Sequence, residues 1–550
     1  MPHRLNRALS RCALGYLVLF CILSCTEDVA VNGPEYVAFT DGGCVTDLSC
    51  PPGEECVNGT CRPITPGLRP HIQVGLAMLR GALDANEEAW IATHYDLVVG
   101  GTNADGIRAI NPNARIFDYT LTRFHVFDTG QKTAQEWAVA HGYNPEDFYL
   151  HYRENVNVPT WEGRVIVPGF PTGMVPGYNP GGPNASATQR SQSRVVGYYY
   201  AGSPTPLHFA NLAHPGFRQF LAERTAGLLD GTFYFNQEYV SGPLDGILFD
   251  EALYYPLFGE GLLDKSTEYW GIPLNDSHPY ATTLANLYPF MSETLANQVG
   301  ETVDVMPNYG HVLYLNYPNP AAIQVQTTTP WIQGEVWVSH TGAATPTSGP
   351  SRCVTYDKDY VNSVRDIVEQ TRAGGRRVLG ARDYSNGTLG TPRGKLFTLG
   401  LYYLFSSQNT YYIYSTAKAP LLETHVSNWS WNQAVNYNIG QPATIPPNKV
   451  DFEGRTNTRE HYLYANGSDP YNPALTYRVF ARRFTNALVL VKMLPEGSVV
   501  DNRSTTVHPL PGTFRPLNAD GTLGGMTAEA RICNNEALIL VPEVQTGIDD

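Results

Sequence analysis

Basic residues are in short supply in this chain of 550 residues: 37 Lys and Arg stand against 51 Asp and Glu, for a formal net charge of −14 and a pI near 5.5. That balance repels a phosphate backbone, so no nucleic-acid partner is expected. Charge of either sign is sparse at 16% of residues, while 42% are hydrophobic, which argues against wholesale disorder, collagen or coiled coil. Cysteine, at nine, is too rare to staple the whole chain. None of the 14 His falls in an HxH or HExxH pattern, so the zinc-hydrolase signature is missing. GxSxG is absent as well, which removes the α/β-hydrolase nucleophile, and no Gly-rich dinucleotide fingerprint follows an expected strand. The stretch Gly390-Thr391-Pro392-Arg393-Gly394-Lys395-Leu396 comes near a phosphate loop, but its spacing is short and the Ser/Thr is missing. The expectation is therefore no cofactor and no metal. No repeat of solenoid period is present.

What is there begins with an address. Arg4, Arg7 and Arg11 precede an apolar run from Ala13 to Leu23, too short to span a bilayer and typical of a signal peptide. It ends Ile22-Leu23-Ser24-Cys25, which resembles a bacterial lipobox with Cys25 as the acylated residue. An ordinary signal peptide with an incidental Cys is the alternative. The resemblance implies an exported lipoprotein, held in the membrane by its acyl chains, with Thr26 pointing to the outer membrane or cell surface. Residues 1–24 are then the signal peptide and 25–69 a stalk and linker. Within the stalk Cys44, Cys50, Cys56 and Cys61 lie in CVTDLSCPPGEECVNGTC, a turn-rich spacing that predicts two disulfides. Of the three pairings, first-to-third with second-to-fourth is preferred; zinc is the weaker alternative, since no CxxC is present.

From residue 70 short apolar runs alternate with helical patterns. Strands are predicted at His71–Leu79, Tyr95–Gly100, Ala114–Tyr119, Leu244–Asp250, Val303–Asn308, Ile332–Val338, Arg377–Arg382 and Asn409–Tyr414. Most are continuous apolar runs, as parallel strands buried on both faces require. Helical spacing joins Leu284, Leu287, Met291 and Leu295, and again Val361, Val364, Ile367 and Val368; a further helix, Pro215 to Leu229, leads toward the fourth strand. Eight strands with intervening helices predict an α/β chain, a (β/α)8 TIM barrel over residues 70–420. An open doubly wound sheet is the alternative. The third-to-fourth connection carries a Pro- and Gly-rich excursion, Val167–Arg194, that would wall a cleft or move freely. Residues 421–550 form a connector and an all-β appendage: strands Tyr477–Phe484 and Ala487–Met493 flank the Thr485-Asn486 turn, and Ala537–Val541 closes the chain. A Cys353–Cys533 disulfide could tie the two parts together if their Cα atoms lie within about 7 Å. The chain is expected to be a monomer.

In a barrel the reacting groups sit where strands end at the C-terminal face. That filter selects Asp118, Asp250 with Glu251, Asn308 with Tyr309, Glu335 with Trp337, and Asp383 with Tyr384. Two carboxyl groups facing one bond are what glycosidic cleavage needs. Asp250 follows the apolar Ile247-Leu248-Phe249, and Glu335 sits among Ile332, Val336 and Trp337, surroundings that keep an acid protonated. Asp250 is accordingly expected to be nucleophile or charge stabiliser and Glu335 the general acid/base, with retention preferred and a carboxyl separation of about 5–5.5 Å. Asp118, Glu251, Asn308, Tyr309, Trp337, Asp383 and Tyr384 are expected sugar contacts, Asp383 being the chief substitute for a catalytic carboxylate.

The run LDGILFDE on a mid-barrel strand, VMPN on the next and GE on the sixth resemble an uncharacterised bacterial family of glycoside-hydrolase-like TIM-barrel proteins. That family is distantly similar to the endo-α-polygalactosaminidases. The resemblance covers about residues 70–541, including IGQP and the YRVFARRFTNALVLV hairpin, which is similar to the terminal β-domain of many glycosidases. In the related characterised groups an Asp ending strand four and a Glu on a later strand serve catalysis, positions that match Asp250 and Glu335. The excursion Val167–Arg194 is longer than the family pattern implies. The implied partner is a polysaccharide or oligosaccharide; a non-catalytic glycan-binding protein on a degenerate barrel is the alternative.

Overall fold

The computed structural model describes residues 54–57, 60–63, 72–76, 83–100, 103–121, 124–125, 127–149, 156–161, 164–165, 173–178, 194, 196–198, 207–211, 214–229, 244–250, 304–307, 331–339, 355–356, 375–382, 391–415, 431–442, 463–495 and 502–543. Eight strands build its central sheet, all in parallel pairs: β1 (Val74–Leu76), β2 (Leu97–Val99), β3 (Arg115–Leu121), β4 (Gly246–Asp250), β5 (Asp304–Pro307), β6 (Trp331–Ser339), β7 (Arg376–Arg382) and β8 (Thr410–Ser415). Their order, β5-β4-β3-β2-β1-β8-β7-β6, keeps sequence neighbours side by side and joins β8 to β1. The strand positions agree with the apolar runs of the sequence to within a few residues. Leu97, Val98 and Val99, like Ile247, Leu248 and Phe249, are fully buried, as strands covered on both faces must be.

The sheet curls. Trp331, at the start of β6 and wholly buried, brings its ring to 5.0 Å from Phe117 of β3 and 5.3 Å from Tyr411 of β8. Neither strand is a hydrogen-bonded neighbour of β6, so these rings meet across the concave face. Around Trp331 lie Arg115 of β3 and Arg376 of β7, their guanidinium groups 5.9 and 4.9 Å from its ring. The Asp304 carboxylate of β5 pairs with Arg115 and lies 3.8 Å from Arg376. Asp245 extends the network to Arg108 at 2.7 Å and Arg115 at 3.3 Å. Partly exposed ion pairs of this kind contribute about 0–1 kcal/mol each, against about 3–5 kcal/mol for the packing of a buried Trp, so the indole carries the energy and the charges fix which strands meet around it. β5 and β6, the ends of the sheet, approach within 8 Å at Cα.

Helices α1 (Ala85–His94) and α2 (Ala104–Ile110) fill the first two crossovers. Asp84 caps α1 in a capping box with Glu87, whose side chain accepts from the Asp84 amide. The third-to-fourth connection holds α3 (Phe127–Ala140), a 3-10 turn at Pro145–Phe148, α4 (Pro215–Leu229) and two three-stranded antiparallel sheets. One of these includes Gly173–Tyr178, so part of the excursion Val167–Arg194, for which no strand was expected, is a strand paired with Val156–Trp161. Its last residue is anchored: Arg194 Nε donates to Glu146 at 2.9 Å, and its guanidinium lies 3.9 Å from the Tyr149 ring. The helices expected around Leu284–Leu295 and Val361–Val368 lie outside the described residues.

α5 (Pro392–Phe405) links β7 to β8 and was not evident in the sequence, because every residue from Phe397 to Phe405 is buried and no polar face marks the period. The phosphate-loop-like stretch is its beginning: Thr391 caps it, accepting from the Gly394 amide at 3.1 Å, and Pro392 opens the first turn. On its far side lies an antiparallel sheet of β9 (Leu463–Ser468), β10 (Thr476–Phe484), β11 (Ala487–Pro495), β12 (Thr506–Pro516), β13 (Thr527–Ile532) and β14 (Glu536–Pro542), in the order β9-β10-β11-β14-β12-β13. A Cβ on Gly400 of α5 would stand 2.4 Å from that of Ala537, so glycine lets helix and sheet touch. Arg482 of β10, wholly buried, donates to the Tyr403 and Ser406 carbonyls at 2.8 and 2.7 Å and closes the C-terminal end of α5. One hydrophobic core therefore runs from the parallel sheet through α5 into β10, β11 and β14. The IGQP segment clasps the appendage hairpin, its Gln441 and Ile439 carbonyls accepting from the Thr485 and Asn486 amides.

At the other end, Glu54–Val57 and Thr60–Pro63 form a hairpin with Cys56 and Cys61 in register, while Cys44, Cys50 and the candidate anchor Cys25 lie outside the described residues. No disulfide occurs among the described residues; Cys533 is a buried thiol, and Cys353 is not described. Among the described residues, no helix is long and apolar enough to cross a membrane.

Three substitutions test this account. Trp331→Ala should lower stability by about 3–5 kcal/mol in denaturant unfolding. Trp331→Phe should cost clearly less, because the indole Nε1–H has no acceptor among the described residues. Gly246→Ala should cost about 1–3 kcal/mol or more, since a Cβ there would stand 2.1 Å from the Asp304 carbonyl oxygen and 2.7 Å from the Phe117 ring.

Candidate functional site

Two faces of β3 can be told apart from their contacts. Phe117 lies on the concave face, against Trp331, and strand alternation puts Tyr119 and position 121 with it. Asp118 and Thr120 lie on the other face, toward α4, where Arg224 Nη2 donates to Thr120 Oγ1 at 2.6 Å. Asp118 is buried, accepts from the Tyr119 amide at 2.7 Å and supports the Arg224 charge. Burial pushes Arg224 down to about 10, with Asp118 acting against that fall. Asp118, expected as a sugar contact, thus lies on the face toward α4. Its charge favours the Arg224 cation across the contact between sheet and helix, and its position midway along a strand covered on both sides left its direction undetermined by sequence.

β4 pairs with β3 so that Gly246 opposes Phe117, Leu248 opposes Tyr119 and Asp250 opposes Leu121. Neighbouring residues of a parallel ladder share a face, so position 250 falls on the concave face, at the C-terminal end of β4. The close approach at Gly246 holds β3, β4 and β5 together two layers below it. Position 335 lies on β6, where the ladder with β7 is interrupted: Gly334 opposes Leu379 and Val338 opposes Ala381, so β6 carries extra residues between the two pairs. Such bulges re-aim side chains and are over-represented beside active sites. A simple inward-outward alternation counted from Trp331 therefore does not extend to Glu335 or Trp337. Glu251, Asn308, Tyr309, Asp383 and Tyr384 lie outside the described residues.

The tyrosines of β8 divide in the same way. Tyr411 stacks on Trp331 inside the curl, and burial raises its phenol to about 12. Tyr412 turns to α5, where its hydroxyl meets Thr398 at 2.8 Å and burial raises its pKa. Sequence reading passed over Arg224 and His214. The signals were a single Arg within the buried face of α4 and a His directly before the Pro that opens it. Among the described residues there is no group of three or more His, Cys, Asp or Glu that could hold a metal ion.

No protein-family model matches the chain, and no curated protein sequence does. Solved structures with some similarity include a Paenibacillus sp. cycloisomaltooligosaccharide glucanotransferase complexed with cycloisomaltoheptaose, with TM-score 0.34 and 9% identity over 88% of this chain and 57% of that one. The present chain thus spans little more than half of that protein. Aspergillus fumigatus Ega3 in complex with galactosamine gives TM-score 0.30 and 10% identity, covering 66% of this chain and 97% of the other. An isomaltulose synthase variant from Erwinia rhapontici NX5 in complex with sucrose gives 0.37 and 11%, covering 86% and 98%. Likeness at this level carries no argument about activity.

The Asp118 assignment has a direct check. Asp118→Asn and Arg224→Met should each destabilise the protein by about 2–4 kcal/mol, and the double variant by clearly less than their sum. Additive losses in chemical denaturation would show that the two charges do not interact.

Proposed function

We propose that this chain is a glycoside hydrolase that cleaves O-glycosidic bonds of a polysaccharide or oligosaccharide with two carboxyl groups. In this reading the curled sheet closes as a (β/α)8 barrel over residues 70–420, and residues 421–550 are its β-appendage. Asp250 is the nucleophile or charge stabiliser, Glu335 the general acid/base, and Glu251, Asn308, Tyr309, Trp337, Asp383 and Tyr384 line the sugar site. The observation that carries the reading is the end of β4, where a strand buried on both faces ends with position 250 in register with position 121 of β3. The ladder interruption at Glu335 supports it, since bulges beside active sites re-aim functional side chains. The ion pair between Asp304 of β5 and Arg376 of β7 supports closure, because it links strands near the opposite ends of the sheet.

The chemistry follows from the paired carboxyls. An acid in apolar surroundings keeps its proton to pH values where a neighbouring carboxylate is ionised, so one group protonates the leaving oxygen while the other meets the developing positive charge at the anomeric carbon. Water then completes hydrolysis with the first group acting as base. We also propose that the protein is exported and anchored through lipid on Cys25, with the Cys44–Cys61 segment as a disulfide-bonded stalk, and that it acts as a monomer.

A glycan panel with product analysis is the first measurement. On a substrate so identified, Asp250→Asn and Glu335→Gln should each lower kcat by about 10²–10⁴ while leaving sugar binding in place. Variants that cleave like the wild type would remove these residues from the mechanism. A wild-type protein that binds glycans and cleaves none would be a binding protein instead.

A further inference from the structure

The start of α4 is held by an unusual group. His214 stands directly before Pro215, and its carbonyl accepts the first helical hydrogen bond, from the Arg218 amide at 3.1 Å. Its Nδ1 lies 3.3 Å from the Phe217 amide nitrogen. The amide is the donor, so Nδ1 must present a lone pair: the ring caps the helix only while that nitrogen carries no proton. The usual capping residues, Ser, Thr, Asp and Asn, keep their acceptor oxygen at any moderate pH.

The ring is enclosed as well. His214 is 5% exposed, with Tyr143 edge-on at 5.3 Å and Phe148 at 5.2 Å. Its amide donates to the Asn211 carbonyl at 3.0 Å, and Asn211 is tied to the 3-10 turn by its own amide on the Phe148 carbonyl and its side chain on that of Asp147. The cap therefore joins the insertion to the helix that leads into β4. Charged and titratable groups around it come from each packed element. Arg218 lies one turn along α4; Glu146, paired with Arg194, and the buried Asp147 belong to the 3-10 turn; Tyr143 and His141 follow α3, and Tyr149 follows the turn. A proton on Nδ1 of His214 would face an N–H donor, the positive end of the α4 dipole and the Arg218 guanidinium.

We infer that His214 is an acid-sensitive cap, and that its protonation releases the N-terminus of α4 from the insertion that packs on it. The device is independent of the glycosidase reading. Burial first, and Arg218 second, hold the imidazole down at about 4, against an ordinary value of 6.5. Because the folded value is lowered, the open form binds the proton more readily between those limits. Stability from the cap is complete above about pH 6.5 and is lost as pH falls through about 4. Opening should increase on the order of 100-fold between pH 7 and pH 4.

Hydrogen exchange of the peptide containing Phe217 and Arg218, corrected for intrinsic rates, reads this opening directly across pH 7 to 4. Wild type should lose protection progressively as pH falls. His214→Asn, which caps with an oxygen that does not titrate here, should keep it throughout. Arg218→Gln removes the opposing charge and should leave less drive to open at a given pH only if the ring's proton is the trigger: the His214 pKa rises toward 6.5, so the total acid-induced loss shrinks and its completion moves to higher pH. Equal acid sensitivity in wild type and His214→Asn would overturn the proposal, and so would an Arg218→Gln profile superimposable on wild type.

Discussion

Everything in the parallel sheet is arranged around the burial of one indole. Trp331 cannot leave water on a flat sheet, where one face of β6 would stay open; it needs Phe117 and Tyr411 from strands that are not its neighbours. Curling satisfies that need and brings Arg115 and Arg376 over the ring, with Asp304 between them. The apolar term supplies the free energy and the charged term the specificity, since a strand in the wrong place would leave a guanidinium or carboxylate without its counter-charge. The opposite end of the sheet, where Asp250 ends β4, inherits its spacing from this base.

A second constraint is the sharing of α5. A helix with no polar face must be covered on every side, and here one side is the parallel sheet and the other the antiparallel one. Arg482 reaches from the appendage to the last carbonyls of the helix, so the end of α5 is completed by a residue of another sheet. The β-appendage thus serves as the outer wall of the seventh crossover.

How far sequence reached depended on what each element must bury. The eight parallel strands were legible because strands covered on both faces leave continuous apolar runs such as Ile247-Leu248-Phe249. The same uniformity hid their facing: Asp118 sits between Phe117 and Tyr119, and only the contacts of Phe117 with Trp331 and of Thr120 with Arg224 show which face it takes. α5 escaped notice because burial on all sides erases helical periodicity, and β12 because Pro509, Pro511 and Pro516 interrupt the pattern of an edge-like strand. For the candidate site, the strand that ends at position 250 was legible. The phase of Glu335 was not, because a bulge is set by the partner strand and leaves little trace in its own residues.

The β8–β1 seam also imposes an order in time. Its strands come from opposite ends of the parallel-sheet segment, with Gln73 bonded to the Gln408 carbonyl across 335 positions of sequence. β1, β2 and β3 can associate early through their short α1 and α2 crossovers, yet the free edge of β1 must then wait for nearly the whole sheet to be made. Pairing at such separation is slow, because the loop must be closed before any contact rewards it. An unpaired parallel edge is a template for another chain. Crowding of nascent molecules, more than any weakness of the finished fold, is therefore the hazard that this topology carries.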